Sequence, residues 1–293
     1  MKNLYLHIGF HKTGTSALQE YLNENREELE EKGIFYPKSL NNKYPGNVDL
    51  SWALKKEPPK WSSITNSQEK EKIISYYLHQ IKNTECNDII ISSEDFSLLD
   101  NEISSIEKIK TIFNNYNIKI IAYIREPKEF IFSLYAHAVR EKVVTSSFEE
   151  YLLNKYNFRA SDFALRLLPW QKVFGKEKLI IKKYNKNSFT NGNLIEDFFH
   201  AINLELSNIN LKMKKSNIGV HPWLVNSYIN VVKDSKLEKD SKREILNNLI
   251  ELSKKLPKVE GAKYCLNDSF YQMLNKVYER MKNIMEKEYG IKL

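Results

Sequence analysis

"HIGFHKTGTSALQEYL", residues 7–22, decides how this chain is read. The apolar run Leu4-Tyr5-Leu6-His7-Ile8 leads into it, too short for a helix and therefore a buried strand. Gly9 and Gly14 bound a loop. From Thr15 to Glu31 the pattern is helical, with Leu18, Tyr21, Leu22 and Leu29 on one face and Gly33 as the stop. Strand, glycine loop and helix together make a phosphate cradle, because loop N–H groups and a helix N-terminus attract an anion. The glycines have the spacing of the triphosphate-binding loop, yet Thr15-Ser16 stands where that motif has Lys-Ser or Lys-Thr. Lys12 supplies a point charge inside the loop, and Thr15 and Ser16 add hydroxyl donors. A diphosphate-like anion held without magnesium fits better than ATP. The alternative is a plain strand-to-helix turn capped by Thr and Ser.

Further along, apolar runs alternate with helical periods. Residues 88–92 (Asp-Ile-Ile-Ile-Ser), 118–124 (Ile-Lys-Ile-Ile-Ala-Tyr-Ile) and 178–183 read as strands. Helices are expected at 68–81, 103–113, 127–140, about 147–155, 161–174 and near 190–201. Pro127 suits the first turn of its helix. Residues 38–66, with Pro45, Gly46, Pro58 and Pro59, read as an irregular insertion. From about Leu224 the pattern is helical throughout. The fold class is therefore α/β, a parallel sheet flanked by helices, with a helical C-terminal part over about 205–293. The chain is expected to form one domain over 1–293. Such sheets bind ligands at the carboxyl ends of their strands.

Composition narrows the classes. With 293 residues, 42% hydrophobic and 28% charged, the chain suits an ordinary globular protein. The net charge of +8 suits an anionic ligand, and no zinc-finger spacing or RNA-binding signature points to nucleic acid. The two cysteines, Cys86 and Cys265, stand far apart without metal-ligand neighbours and read as reduced thiols. No apolar stretch approaches the roughly 20 residues of a membrane span. With a strand-like start and no signal peptide, the expectation is a cytoplasmic protein.

A second constellation follows the strand at 118–124. Arg125 ends that strand, and the next helix carries Ser133, His137 and Arg140 at helical intervals on one face. A guanidinium fork, a hydroxyl and further positive charge suit a second phosphate. A solvated helix face is the alternative.

Taken together, these stretches resemble the sulfotransferases that use 3′-phosphoadenosine 5′-phosphosulfate (PAPS). "HKTGTSALQEYL" is similar to their 5′-phosphosulfate loop. "IAYIREPKEFIFSLY" is similar to their 3′-phosphate motif, an Arg ending a strand with a Ser eight residues on, as Arg125 and Ser133 are. "WQKVFGKEKLIIKKYNKNSF" and "LIEDFF" resemble a stretch common in bacterial sulfotransferase-like proteins. The likeness covers roughly 3–35 and 88–200, in the family's order.

The resemblance implies a P-loop sulfotransferase fold. It implies in-line transfer of a sulfuryl group from PAPS to a hydroxyl or amine of a small molecule or glycan, without a metal and with 3′-phosphoadenosine 5′-phosphate (PAP) as product. Lys12 is expected at the 5′-phosphosulfate, with Thr13, Gly14, Thr15 and Ser16 as donors to it. Arg125 and Ser133 are expected at the 3′-phosphate, with Lys215 of "KMKKSN" closing from the C-terminal side. A base takes the acceptor's proton. Glu94 of "IIISSEDF", just after the second strand, is the first candidate, Asp49 of "PGNVDLSW" the second and His11 the third. An ATP-dependent phosphotransferase and a non-catalytic nucleotide-binding relative are the competing readings. The acceptor and the oligomeric state are not legible.

Overall fold

Among the described residues the sheet has five strands, β2 (Ile34–Phe35), β3 (Asp88–Ser92), β1 (Asn3–His7), β4 (Asn117–Ile124) and β5 (Leu179–Lys183) in that order across it, every neighbouring pair parallel. The structure, a computed structural model, describes residues 1–40, 44–204 and 219–293. In chain order the elements begin β1 (Asn3–His7), α1 (Thr15–Glu24), α2 (Arg26–Glu31), β2 (Ile34–Phe35), α3 (Val48–Leu54) and α4 (Ser67–Asn83). They continue β3 (Asp88–Ser92), α5 (Ile103–Ile112), β4 (Asn117–Ile124), α6 (Pro127–Arg140), α7 (Phe148–Leu153), α8 (Lys155–Arg159) and α9 (Phe163–Phe174). After β5 (Leu179–Lys183) come α10 (Leu194–Ala201), α11 (Val225–Lys233), α12 (Lys239–Lys255), α13 (Gly261–Cys265) and α14 (Asp268–Tyr289). The expected α/β class, a parallel sheet flanked by helices, is what the chain adopts.

Two compact units result, one of Met1–Ile124 with Leu165–Ser216, the other of Arg125–Ala164 with Asn217–Leu293. In the first, the central strands are buried along nearly their whole length, which is why they read as unbroken apolar runs. One face of the sheet, from Tyr5, Ile90, Ile121 and Tyr123, packs with Leu18, Tyr21 and Leu22 of α1 and Ile195, Phe198 and Phe199 of α10. Burying side chains of this size stabilises by about 1.5–3 kcal/mol each.

In the second unit, Phe132, Tyr135, Phe148 and Tyr151 form an aromatic cluster between α6 and α7. Gly261 is required there, since a Cβ would lie 2.1 Å from the Phe132 ring. The ion pair Lys128–Glu260 (3.0 Å) and the hydroxyl contact Ser161–Tyr278 (2.6 Å) tie α13 and α14 to the rest of the unit.

Three local readings are corrected. The helix expected over 15–31 is two helices, because Asn25 leaves the helical conformation (φ −111°, ψ 26°), its N–H and its side-chain amide both donating to the Tyr21 carbonyl (3.1 and 2.7 Å). The stretch 38–66 is not wholly irregular, since it contains α3. The helix near 190–201 begins at Leu194, where the Asn193 side chain accepts from the Ile195 N–H (2.8 Å). β2, two residues at the sheet edge, carries too short a pattern to be read from sequence.

Candidate functional site

β1 is the strand at which the sheet order reverses, with β3 and β2 on one side and β4 and β5 on the other. Open parallel sheets receive ligands outside the carboxyl ends at such a reversal. The loop of residues 8–14 leaves β1 there. Three of its residues are left-handed: Gly9 (φ 41°), Lys12 (φ 64°) and Gly14 (φ 79°). Together they curl the backbone so tightly that two glycines are obligatory. A Cβ on Gly9 would meet Thr15 Cγ2 at 2.6 Å and Glu94 Cα at 3.3 Å. On Gly14 it would meet Leu194 Cδ2 at 2.5 Å and Tyr184 Cε2 at 2.8 Å.

The loop is braced from within and below. The Thr13 hydroxyl, buried, donates to the Phe10 carbonyl (2.5 Å). The Phe10 ring lies 4.6 Å from the Arg166 guanidinium. Arg166, 3% exposed, is paired with Asp100 (3.2 Å) and donates to the Ser97 carbonyl and hydroxyl (both 3.0 Å).

α1 then starts at Gly14 with no side-chain cap and no acidic residue in its first turn. The positive end of the helix dipole thus meets no protein anion among those groups, while Lys12 lies in the loop and the exposed Ser16 in the first turn. A phosphate or sulfate group fits this cradle. Thr15, at the position of the triphosphate-loop lysine, is 4% exposed and faces the Gly9 backbone.

The wall beside the loop comes from the end of β3 and from α3. The Asn47 N–H donates to the Ser92 carbonyl (2.8 Å), and the Asn47 Oδ1 accepts from the Ser92 N–H (2.9 Å). The Ser51 and Ser93 hydroxyls lie 3.2 Å apart. Trp52 Nε1 donates to Asp95 (2.5 Å), whose other oxygen is 3.5 Å from His11 Nε2. Glu94, beside Gly9, accepts from Gln19 Nε2 at 2.8 Å. Gln19 Nε2 also lies 3.4 Å from Ser92 Oγ, which is 2.8 Å from His7 Nδ1. His7 is buried against Tyr123 and Phe198, and that burial pulls its pKa down to about 3, so it is neutral.

The three candidate bases therefore differ in setting. His11 lies in the loop and Glu94 lies beside it. Asp49 is 5% exposed, accepting from the Tyr77 hydroxyl (2.6 Å) and the Leu40 N–H (2.7 Å). Burial raises its pKa, opposed by those bonds, and burial with Asp49 beside it pushes Tyr77 up. In the second unit Arg125 pairs with Glu129 (2.9 Å), and Ser133 is half-buried on α6. Lys215 lies outside the described residues. Lys182 pairs with the buried Asp197 (3.2 Å), which also accepts from the Tyr123 hydroxyl (2.7 Å). Of the tryptophans, Trp170 and Trp52 are buried, and Trp61 and Trp223 are exposed.

Gln19, Asp95 and Arg166 are the residues that sequence reasoning missed, while Tyr184, which follows β5 and stood without an assigned contact, lies against Gly14. Gln19 left one signal, a polar side chain among the apolar positions of α1. No group of three or more His, Cys, Asp or Glu arranged for a metal occurs among the described residues, and no helix there is long and apolar enough to cross a membrane.

No protein-family model matches the sequence. An uncharacterized protein of Archaeoglobus fulgidus is 23% identical over 208 residues, 70% of this chain and 54% of that one. The chain thus spans about half the length of the relative it matches. A sulfotransferase of known crystal structure from Alicyclobacillus acidocaldarius is similar over 93% of this chain and 99% of that one, at 15% identity and a TM-score of 0.48.

Proposed function

We propose that the chain is a PAPS-dependent sulfotransferase acting on a hydroxyl or amine of a small molecule or glycan. The observation that carries this reading is the loop of residues 8–14. It is an anion cradle at the reversal point of the sheet, with an uncapped helix behind it, its lysine at position 12 and a buried threonine at position 15. That chemistry suits a phosphosulfate better than the β- and γ-phosphates of ATP, which need the lysine that Thr15 replaces.

When bound, PAPS supplies the sulfuryl group, its sulfur-to-phosphate oxygen bond breaking as the acceptor oxygen or nitrogen bonds to sulfur. Lys12 neutralises the charge that develops on the leaving phosphate. The N–H groups of Gly14, Thr15 and Ser16 and the Ser16 hydroxyl donate to the same oxygens, while the Thr13 hydroxyl keeps the loop in shape. Arg125 and Ser133 are assigned to the 3′-phosphate on the sequence resemblance, and Lys215 likewise. Glu94 receives the acceptor's proton. It is preferred to Asp49, whose carboxylate is spent on Tyr77 and Leu40, and to His11, which faces Asp95.

Titration calorimetry with PAP, and separately with ATP and magnesium, tests the reading. Micromolar binding of PAP, weakened at least tenfold in Lys12→Ala and in Arg125→Ala and absent for ATP, is the expected result. No PAP binding, or a preference for ATP with magnesium, overturns it in favour of a phosphotransferase.

A further inference from the structure

We infer that Gln19 is a positioning residue that fixes the Glu94 carboxylate relative to the anion loop, with Gly46 as the stop behind it. The inference rests on the sulfotransferase reading and on Glu94 as the proton acceptor.

Gln19 occupies the second turn of the helix whose first turn closes the loop, so its backbone is rigid with the cradle. Its side chain is 6% exposed and is held on two sides. On one side Nε2 donates to Glu94 Oε2 at 2.8 Å and lies 3.4 Å from Ser92 Oγ. On the other side Gly46 stands so close that a Cβ there would lie 2.5 Å from Gln19 Oε1 and 2.6 Å from Gln19 Cδ. Gly46 is itself placed by its neighbour Asn47, which is bonded twice to Ser92. The amide therefore has one place to sit, and from it the N–H₂ group reaches the carboxylate.

The bond has a chemical consequence. The Gln19 amide occupies Oε2 and leaves Oε1 to receive the acceptor's proton. Titratable groups on the elements about Glu94 include Asp95, with His11 against it, Lys12 in the loop, His7 behind Ser92, and Tyr36, which also feels Asp49. Gln19 donates to the Glu94 carboxylate and is the group through which its orientation is set.

The test has two readouts. The first needs no acceptor: the Glu94 side-chain carboxyl carbon is titrated by ¹³C NMR in the full chain. Gln19→Glu sets a second carboxylate against Glu94, and the Glu94 midpoint is expected to rise by about one pH unit or more. Gln19→Met is expected to raise it by less. Gly46→Ala alters neither partner but displaces the amide, and is expected to match Gln19→Met; the double variant is expected to add nothing further.

The second readout is release of PAP from PAPS with water as acceptor. Here Gln19→Met and Gly46→Ala are expected to slow the rate about 10- to 100-fold with PAP affinity unchanged within about twofold. Gln19→Glu is expected to move the acid limb of the pH–rate profile upward with the NMR midpoint.

An unmoved Glu94 midpoint in Gln19→Glu and Gly46→Ala overturns the inference, whatever the rate. Moved midpoints with unchanged rates overturn it too, because the contact then exists without serving the chemistry. Failure of wild-type chain to bind PAP is the separate result that removes the reading beneath it.

Discussion

The loop of residues 8–14 and the wall formed by residues 45–54 and 93–95 stand side by side, and they are built on opposite principles. The loop is written into its own backbone. Two glycines and a lysine take left-handed conformations, and Thr13 bonds to a carbonyl three residues back. The wall is written into distant partners, since Asn47 bonds to Ser92, Ser51 faces Ser93 and Trp52 donates to Asp95. A locally coded element tolerates loss of a side chain with its shape intact and its chemistry changed. An element held by long-range bonds loses its shape first. Four experiments probe that contrast.

The largest effect is expected where the two regions share a support. Arg166 lies under Phe10 of the loop and bonds Ser97 and Asp100 beyond the wall. Arg166→Met leaves Asp100 charged and buried, and urea unfolding is expected to show a loss of about 3–5 kcal/mol. Adding Asp100→Leu is expected to restore much of it, since an apolar pair of similar volume carries no stranded charge.

Next comes the wall itself. Asn47→Ala strands the Ser92 N–H and leaves the Pro37 carbonyl with the longer bond from Arg26 (3.3 Å), and is expected to cost about 2–3 kcal/mol in the same measurement. A loss below about 0.5 kcal/mol would break the contrast, for the wall would then be holding itself.

The third probe is pH. The native pKa of His7 is about 3, against 6.5 for an ordinary histidine. The unfolded chain therefore takes up a proton below pH 6.5 that the native chain refuses. Stability is full above 6.5 and falls as the pH drops toward 3, by about 2 kcal/mol at pH 5. Thermal unfolding of His7→Asn is expected to show a shallower acid limb than wild type, so that the two curves converge as the pH falls.

The smallest change in stability is expected in the loop. Lys12→Gly removes a left-handed lysine in exchange for the greater freedom of glycine in the unfolded chain, so stability should move by less than about 1 kcal/mol. PAP affinity is nevertheless expected to fall at least tenfold, as in Lys12→Ala. A marked loss of stability would show that the loop leans on the lysine for its shape.

The same contrast explains what was legible in the sequence. β1, β3 and β4 are buried on both faces and announce themselves as apolar runs, and α6 carries its proline at the start and its cap at Glu126. The glycine loop is legible because steric rules dictate it. α3 is not, because its seven residues lack a side-chain cap and depend on Ser92, Ser93 and Asp95, some 40 residues away. Asn25 hid the break between α1 and α2, since one residue's departure from helical dihedrals leaves the apolar spacing unchanged. Among the candidate site residues, Lys12 and Glu94 follow from strand ends, whereas Gln19 and Arg166 become visible only when tertiary contacts reveal what their polar groups touch.

The central place of β1 also sets an order of events during synthesis. Its partners come much later in the chain: Asn3 pairs with Asp88 in β3 and with Asn117 in β4, 85 and 114 residues on. At roughly 5–20 residues per second, a ribosome makes β4 some 6–23 s after β1, and both neighbours must join by long crossovers, the slow kind of closure. Until then Leu4, Leu6 and Ile8 stay uncovered, an invitation to association that a chaperone is suited to screen. The loop of residues 8–14 is thus made before most of the sheet, and the strands that flank it on both sides of β1 arrive only later.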